Sequence, residues 1–511
     1  MSWRNNPSPD ARTGGRRRGW LPAASLLVLA LATACTHRPP RLVPTVPAAP
    51  LRRLHADLNR LFDGPAFRHA IVGAVMETAR TGTVLYARHP DTLLLPASNL
   101  KILTLAAAAD RLGWNFTYET KLVAAGPIAD GALHGNLLVI GSGDPTIDGR
   151  DPASTDLFAR WADSLWQSGL RRIDGRIIGD GCALDEPRFG SGWAWDDLPY
   201  GFAAPISALQ YHDNLVVLTI HPGPSAGAPA TVEMMPDLSG LVLANRLTTT
   251  AAGSAPAVGL RRAPGTDTLE LDGTVPAGHP DLYETASVPD PPAFFARALR
   301  AALVARGIEV GGNAVDLDAA PPAPDAQPAT VLIDHRSPPL TAIATVMMKV
   351  SENLYAETLL RTLGAKAGTS AMDGPAVVRA VLEGWGFPAD RFVIADGSGL
   401  SRYDLVTAGL LAGVLRHLAA DPRGAADFAA TLPIGGVDGT LAHRFEGAAG
   451  PRVIAKTGSM MHVRALSGYV TARDGRRLVF SILVNNFDGD PLAVDAAIDA
   501  AVRRLAAFSP R

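Results

Sequence analysis

The period of the hydrophobic pattern changes along the chain. Two apolar runs, Ile71–Thr78 and Thr83–Ala87, meet through Arg80-Thr81-Gly82 and predict a β-hairpin. From Pro96 to Leu112 the spacing becomes helical, with proline at the start and Gly113 just past the end. Residues 120–320 carry short apolar runs punctuated by Gly, Pro and Asp, such as Gly135–Gly141 and Thr231–Met235, which predict a mostly β region. That region closes in the proline-rich stretch Ala319–Asp325. Helical spacing returns at Thr341–Leu363 and Ala376–Gly384. Three strands follow, Arg452–Thr457, Ala465–Ala472 and Arg477–Asn485, the last two turning at Asp474-Gly475, and an amphipathic helix closes the chain at Pro491–Ala507.

Helix-flanked antiparallel strands at both ends of the chain predict one discontinuous α/β (α+β) domain, residues 51–118 and 327–511. Residues 119–326 would then be an inserted, mostly β region of two subdomains. At 511 residues the chain exceeds what a single core usually supports, roughly 250–300 residues, so several cores are expected.

The N-terminus has a different character. Arg12 and Arg16 to Arg18 precede an uncharged, Leu- and Ala-rich stretch from Gly19 to Ala34. It is too short for a stable membrane span and fits an export signal over residues 1–34, of either the general secretory or the twin-arginine type. The sequence Leu31-Ala32-Thr33-Ala34-Cys35 fits a lipoprotein cleavage site that makes Cys35 a lipidated first residue; ordinary cleavage after Ala34 fits it too. Residues 35–50, with five prolines, read as a stiff extended linker. No later apolar run approaches the ~20 residues of a span, so membrane contact would be peripheral or through a lipid at Cys35. Export would place the protein in the periplasm. Cys182 is then the only other cysteine, best read as a small buried hydrophobe.

Charge narrows the function. The 47 basic and 49 acidic side chains nearly balance, which argues against a nucleic-acid binder working through a basic surface. Only Lys101, Lys121, Lys349, Lys366 and Lys456 are lysines, and the remaining 42 basic residues are arginine. Each lysine therefore stands where arginine was not used.

Ser98-Asn99-Leu100-Lys101 places a hydroxyl and an amine one helical turn apart on one face. A serine is a weak nucleophile without a neighbouring base. Lysine can be that base when burial lowers its pKa, whereas arginine keeps its proton. Ser351-Glu352-Asn353 supplies a second hydroxyl and an amide. Lys456-Thr457-Gly458-Ser459 ends a strand with a cation and hydroxyls suited to a carboxylate, and Gly458 is expected to let a ligand backbone approach the strand. Each motif alone is weak; three in order, using two of five lysines, are specific. Nothing in them requires a metal or other cofactor.

The order Ser-x-x-Lys, Ser-x-Asn, Lys-Thr-Gly resembles penicillin-binding proteins and serine β-lactamases. The first two motifs lie 253 residues apart and the last two 105. That long first gap is similar to the large-insert, low-molecular-mass penicillin-binding proteins of the D-alanyl-D-alanine carboxypeptidase/endopeptidase family. Gly141–Thr146, Asp396–Arg402, Leu432–Thr440 and Ala465–Tyr469 also resemble that family, and the likeness runs from about Leu51 to the C-terminus. It implies a penicillin-binding-protein/β-lactamase-like fold, an antiparallel sheet flanked by helices. It implies a Ser98 acyl-enzyme on D-Ala–D-Ala or D-Ala–diaminopimelate bonds of peptidoglycan stem peptides and cross-links, with β-lactams as covalent inhibitors. By the same resemblance Lys101 is the acylation base, Ser351 relays a proton, Asn353 holds the substrate amide, and Lys456 and Thr457 bind the terminal carboxylate. The N–H groups of Ser98 and Ser459 form the oxyanion hole. Asp197, Phe202 and Arg402 match positions that contact the diaminopimelate side chain. After Gly458 the sequence Ser459-Met460-Met461 is less polar than in many relatives.

Two other readings use the same residues. A serine β-lactamase shares the acylation groups, but the insert and Ser351 disfavour it, and fast deacylation of a β-lactam would distinguish it. A non-catalytic wall-binding lipoprotein could lose Ser98 or Lys101 without penalty, and both are present.

Overall fold

The computed structural model describes residues 48–147, 156–184, 187–320, 329–447 and 452–509. The export segment, Cys35, most of the linker and all of the Ala319–Asp325 stretch after Ala320 lie outside the described residues. The chain is helical from Ala48, earlier than the linker reading allowed: helix α1 (Ala48–Phe62) repeats Leu54, Leu58 and Phe62 on one buried face.

Strand β1 (Ile71–Thr78) joins the two ends of the chain. It pairs with β2 (Val84–Arg88) on one side and with Arg477–Asn485 on the other, in register from Ile71 opposite Asn485 to Thr78 opposite Leu478. Strands Val463–Thr471 and Val453–Met460 extend the sheet, which is antiparallel throughout. Period-2 alternation explains how both faces are buried. Val72, Ala74, Met76, Phe480, Ile482 and Val484 face α1 and the C-terminal helix Pro491–Ala506. Val75, Val479, Leu483, Ala465 and Tyr469 face a larger helical core. At the centre of that core is helix α2 (Lys101–Leu112), buried from Lys101 to Ala108 and ended at Gly113.

The middle region is less purely β than its sequence pattern suggested. Glu119–Ala125 and Ala329–Arg336 pair antiparallel, Ala125 opposite Ala329, so the strands that enter and leave this region lie side by side. Their sheet continues through Asn136–Gly141, Ile177–Asp180 and Ala314–Asp316, with parallel pairs among the last three. Helices Leu157–Gln167 and Pro291–Arg306 cover it, burying Phe158, Trp161, Phe295 and Leu299. A second core lies between the sheet built on Leu215–His221 and the one built on Thr268–Pro276.

Cys182 corrects the sequence reading: it is exposed, in the turn after Ile177–Asp180, where its N–H is held by Asp180 Oδ1 at 3.0 Å. Partial desolvation first, then Asp180, push its thiol up to about 11. Among the described residues no helix is long and apolar enough to cross a membrane.

Candidate active site

A 3-10 turn, Ala97–Leu100, runs directly into α2 and sets Ser98 beside Lys101. Lys101 Nζ is 3.0 Å from Ser98 Oγ, and it donates to Asn353 Oδ1 at 2.6 Å and to the Ser398 carbonyl at 2.9 Å. Three acceptors match the three donors of an ammonium. The side chain is 0 % exposed. That burial lowers its pKa to about 8, against the opposing pull of the Asp396, Glu357 and Glu352 carboxylates. Around pH 8 a neutral amine therefore lies within reach of the hydroxyl.

The expected helix Thr341–Leu363 is two helices, Leu340–Lys349 and Asn353–Lys366. Apolar positions are buried on both sides of the break (Met347, Met348, Leu354, Tyr355), so the period runs through it unmarked. Ser351 sits in the break with φ 67°, a left-handed conformation that a non-glycine residue adopts at a cost of order 1–3 kcal/mol. The break brings Ser351 Oγ within 2.8 Å of Lys456 Nζ, which donates to it.

Lys456 lies on edge strand Val453–Met460 and is also fully buried. Burial first, then the nearby Lys101, hold its pKa well below the usual lysine range. Thr457 Oγ1 donates to Thr440 Oγ1 at 2.8 Å. The turn carrying Thr440 is tied down by Asp438, which pairs with Lys349 at 2.6 Å and accepts from the Ile434 N–H at 2.8 Å. Gly458 has a reason in addition to the one expected from sequence. A Cβ there would lie 2.7 Å from the Pro96 carbonyl oxygen, so the space is taken by the protein's own turn before Ser98. Likewise a Cβ on Gly399, at φ +83°, would collide with the Ala97 carbonyl. Ser459 follows, exposed and opposite Arg464.

The middle region reaches the same place. Asn353 Nδ2 donates to the Phe202 carbonyl at 2.8 Å, while the Phe202 ring stays exposed and stacks on Tyr200 with centroids 5.5 Å apart. The Arg402 N–H meets the Gly192 carbonyl at 3.2 Å, and its guanidinium meets the Met461 carbonyl at 3.3 Å. Burial and Asp196 raise the Asp197 carboxyl, and Arg402 opposes them. Thus Ser98, Lys101 and Asn353 form one hydrogen-bonded group and Ser351 with Lys456 a second, the two lysines being near enough for Lys101 to lower the pKa of Lys456, with Thr457 and Gly458 on the same strand as Lys456. Asp197, Phe202 and Arg402 lie on loops that touch this site. Sequence reasoning gave no role to Thr440, Asp438 or Glu357. The one available signal was Glu357's spacing of four from Asn353, which puts both on one helix face.

Comparison with known proteins gives a consistent result. Residues 54–507 match the model of the D-Ala-D-Ala carboxypeptidase 3 (S13) family. The chain is 35% identical to a D-alanyl-D-alanine carboxypeptidase of Actinomadura sp. (strain R39), over 99% of this chain and 94% of that one. It is 28% identical to the D-alanyl-D-alanine carboxypeptidase DacB of Haemophilus influenzae, over 81% of this chain and 85% of that one. The crystal structure of penicillin binding protein 4 (dacB) from Haemophilus influenzae superposes with a TM-score of 0.76 at 24% identity, covering 89% of this chain and 99% of that one.

Proposed function

From its membership of the D-Ala-D-Ala carboxypeptidase 3 (S13) family, to which this chain belongs, we propose how its own residues carry the serine-type reaction. Ser98 Oγ attacks the carbonyl carbon of the D-Ala preceding the terminal residue, and its proton passes to neutral Lys101 Nζ. The tetrahedral oxyanion is held by the N–H groups of Ser98 and Ser459; losing one such donor typically costs about 10²–10³ in rate. As the C–N bond breaks, Ser351 hands a proton to the leaving amine and is resupplied from Lys456 or Lys101. Water then hydrolyses the Ser98 ester with Lys101 again as base. Thr457, with Lys456, binds the terminal carboxylate, and Asn353 the substrate amide.

The observation that carries this reading is the buried amine of Lys101, 3.0 Å from Ser98 Oγ and depressed to about 8. This substrate is supported by the pairing of charge: Asp197 suits the ammonium and Arg402 the carboxylate of a diaminopimelate side chain, and the exposed Phe202 ring follows Asp197 by five residues in the chain. We therefore read the substrates as stem pentapeptides and D-Ala–diaminopimelate cross-links, reached after export to the periplasm. Incubation with pentapeptide and cross-linked muropeptides tests this. D-Ala release, or cross-link cleavage, lost in Ser98→Ala supports it; hydrolysis that survives Ser98→Ala contradicts it.

A further inference from the structure

Beneath Lys101 lies a group of buried carboxyls that the reaction does not use. Glu357, Asp396 and Asp404 are 2 %, 1 % and 0 % exposed, and all three face the turn 395–401. Their tasks differ. Asp396 gathers the N–H groups of Gly399 and Ser401, each at 2.7 Å, and takes the Trp193 indole N–H at 2.9 Å, tying the turn to the middle region. Asp404 Oδ1 accepts from the Ala395 N–H at 2.7 Å; burial first, then Asp396, push this carboxyl well up.

Glu357 is placed differently. Its Oε1 accepts from the N–H groups of Gly397 and Ser398 at 3.0 and 2.7 Å, and its Oε2 from Gly397 at 3.1 Å. The carbonyls of those same two residues face the other way, onto α2. The Gly397 oxygen accepts from Thr104 Oγ1 at 2.7 Å and the Ser398 oxygen from Lys101 Nζ at 2.9 Å. The turn is thus clamped between Glu357 on its N–H side and Lys101 with Thr104, one helical turn apart, on its carbonyl side. Asn353, four residues before Glu357, contacts Lys101 directly.

We propose that Glu357 is a positioning residue for the Ser98–Lys101 pair: its carboxylate aims the Ser398 carbonyl at Lys101 Nζ, and its buried negative charge acts on that lysine. This rests on Lys101 as the acylation base. The groups facing Lys101 are the Ser98 hydroxyl, the Asn353 amide, the Ser398 carbonyl, the carboxyls of Asp396, Glu357 and Glu352, and the buried amine of Lys456; burial first, then Asp396, raise the Glu357 carboxyl to about 7, so it carries its charge above that pH. Asp396 and Glu357 both hold the turn and favour the protonated lysine, but it is Glu357 that binds the N–H of Ser398, the residue whose carbonyl meets Lys101.

The test is the second-order rate of Ser98 acylation by a labelled penicillin, read by intact mass across pH, for wild type, Glu357→Gln, Glu357→Asp and Thr104→Val. Glu357→Gln keeps the shape, removes the charge and turns an N–H against the Gly397 N–H. Its plateau should fall about tenfold or more, because a displaced base is costly. Its acidic limb should move to lower pH, because Lys101 without this neighbour loses its proton more readily. Thr104→Val removes the opposite hold without a charge change, so it should slow acylation and leave the limb in place. Glu357→Asp keeps the charge on a shorter arm and should lower the plateau with the limb unmoved. A limb unmoved in Glu357→Gln overturns the proposal. Should that variant not fold, a Glu357→Asp plateau equal to wild type overturns it instead. A wild-type profile with no acidic limb would remove the Lys101 reading itself, which separates the two failures.

Discussion

Asn353 bridges two parts of the molecule with one side chain: its Oδ1 accepts from Lys101 Nζ at 2.6 Å while its Nδ2 donates to the Phe202 carbonyl at 2.8 Å. The amide of the second motif thereby fixes the amine of the first and anchors the loop that carries Asp197 and Phe202. Asn353→Ala strands a donor on buried Lys101 and an acceptor on Phe202, a loss of about 1–3 kcal/mol where such groups stay dry. Acylation should slow about tenfold or more and the melting temperature should fall, whereas Asn353→Gln should do neither fully. Calorimetry beside penicillin acylation rates checks both.

Lys101→Met keeps most of the length of the side chain and removes its basicity. A general base contributes about 10²–10⁴ in rate, so acylation should fall by at least that range while the protein folds normally. Stopped-flow acylation with circular dichroism decides it.

The pH dependence follows from the sign of the Lys101 shift. Its pKa is lowered from the ordinary lysine value to about 8, chiefly by burial. The neutral, proton-accepting form is therefore lost as pH falls below about 8, and the acylation rate should drop about tenfold per unit there. An unshifted lysine would place that limb more than two units higher. Rate constants taken in steps across this window locate the limb.

Gly458→Ala tests the packing of the third motif against the first. The added Cβ would lie 2.7 Å from the Pro96 oxygen and 3.2 Å from Ala97 Cβ, so the turn bearing Ser98 must shift. A misplacement near 1 Å can cost about 10² in rate. The prediction is a loss of that order in acylation, with secondary structure retained, measured by adduct formation and circular dichroism.

How much of this was legible depended on where the chain's period carried the information. The terminal hairpin and the strand Arg477–Asn485 were readable because alternation and turn residues coincide there. The break at Val350–Glu352 was not, because Met348 and Leu354 keep the helical period across it while Ser351 takes φ 67°. Helices Leu157–Gln167 and Pro291–Arg306 were lost among Gly- and Pro-rich flanks. The three motifs were visible from residue type and order. The roles of Glu357, Asp438 and Thr440 were not, since each acts through a turn brought close only by folding, as Glu357 acts on the Gly397 and Ser398 N–H groups some 40 residues away.

Arg402 and Asp197 should affect choice of peptide more than the chemistry. Arg402→Ala and Asp197→Asn are expected to lower kcat/KM about tenfold or more for peptides ending in a free diaminopimelate side chain, as loss of a charge-assisted contact would. Their penicillin acylation should stay near wild type. Parallel assays with a muropeptide and with penicillin separate the two effects.

The central claim is that Ser98, activated by Lys101, forms a covalent acyl-enzyme. Intact mass of the protein after incubation with penicillin, beside Ser98→Ala, tests it most directly. The account predicts one persistent adduct per chain, mapped to Ser98 and missing from the variant. An adduct on another residue, or none on a folded wild-type protein, would contradict it.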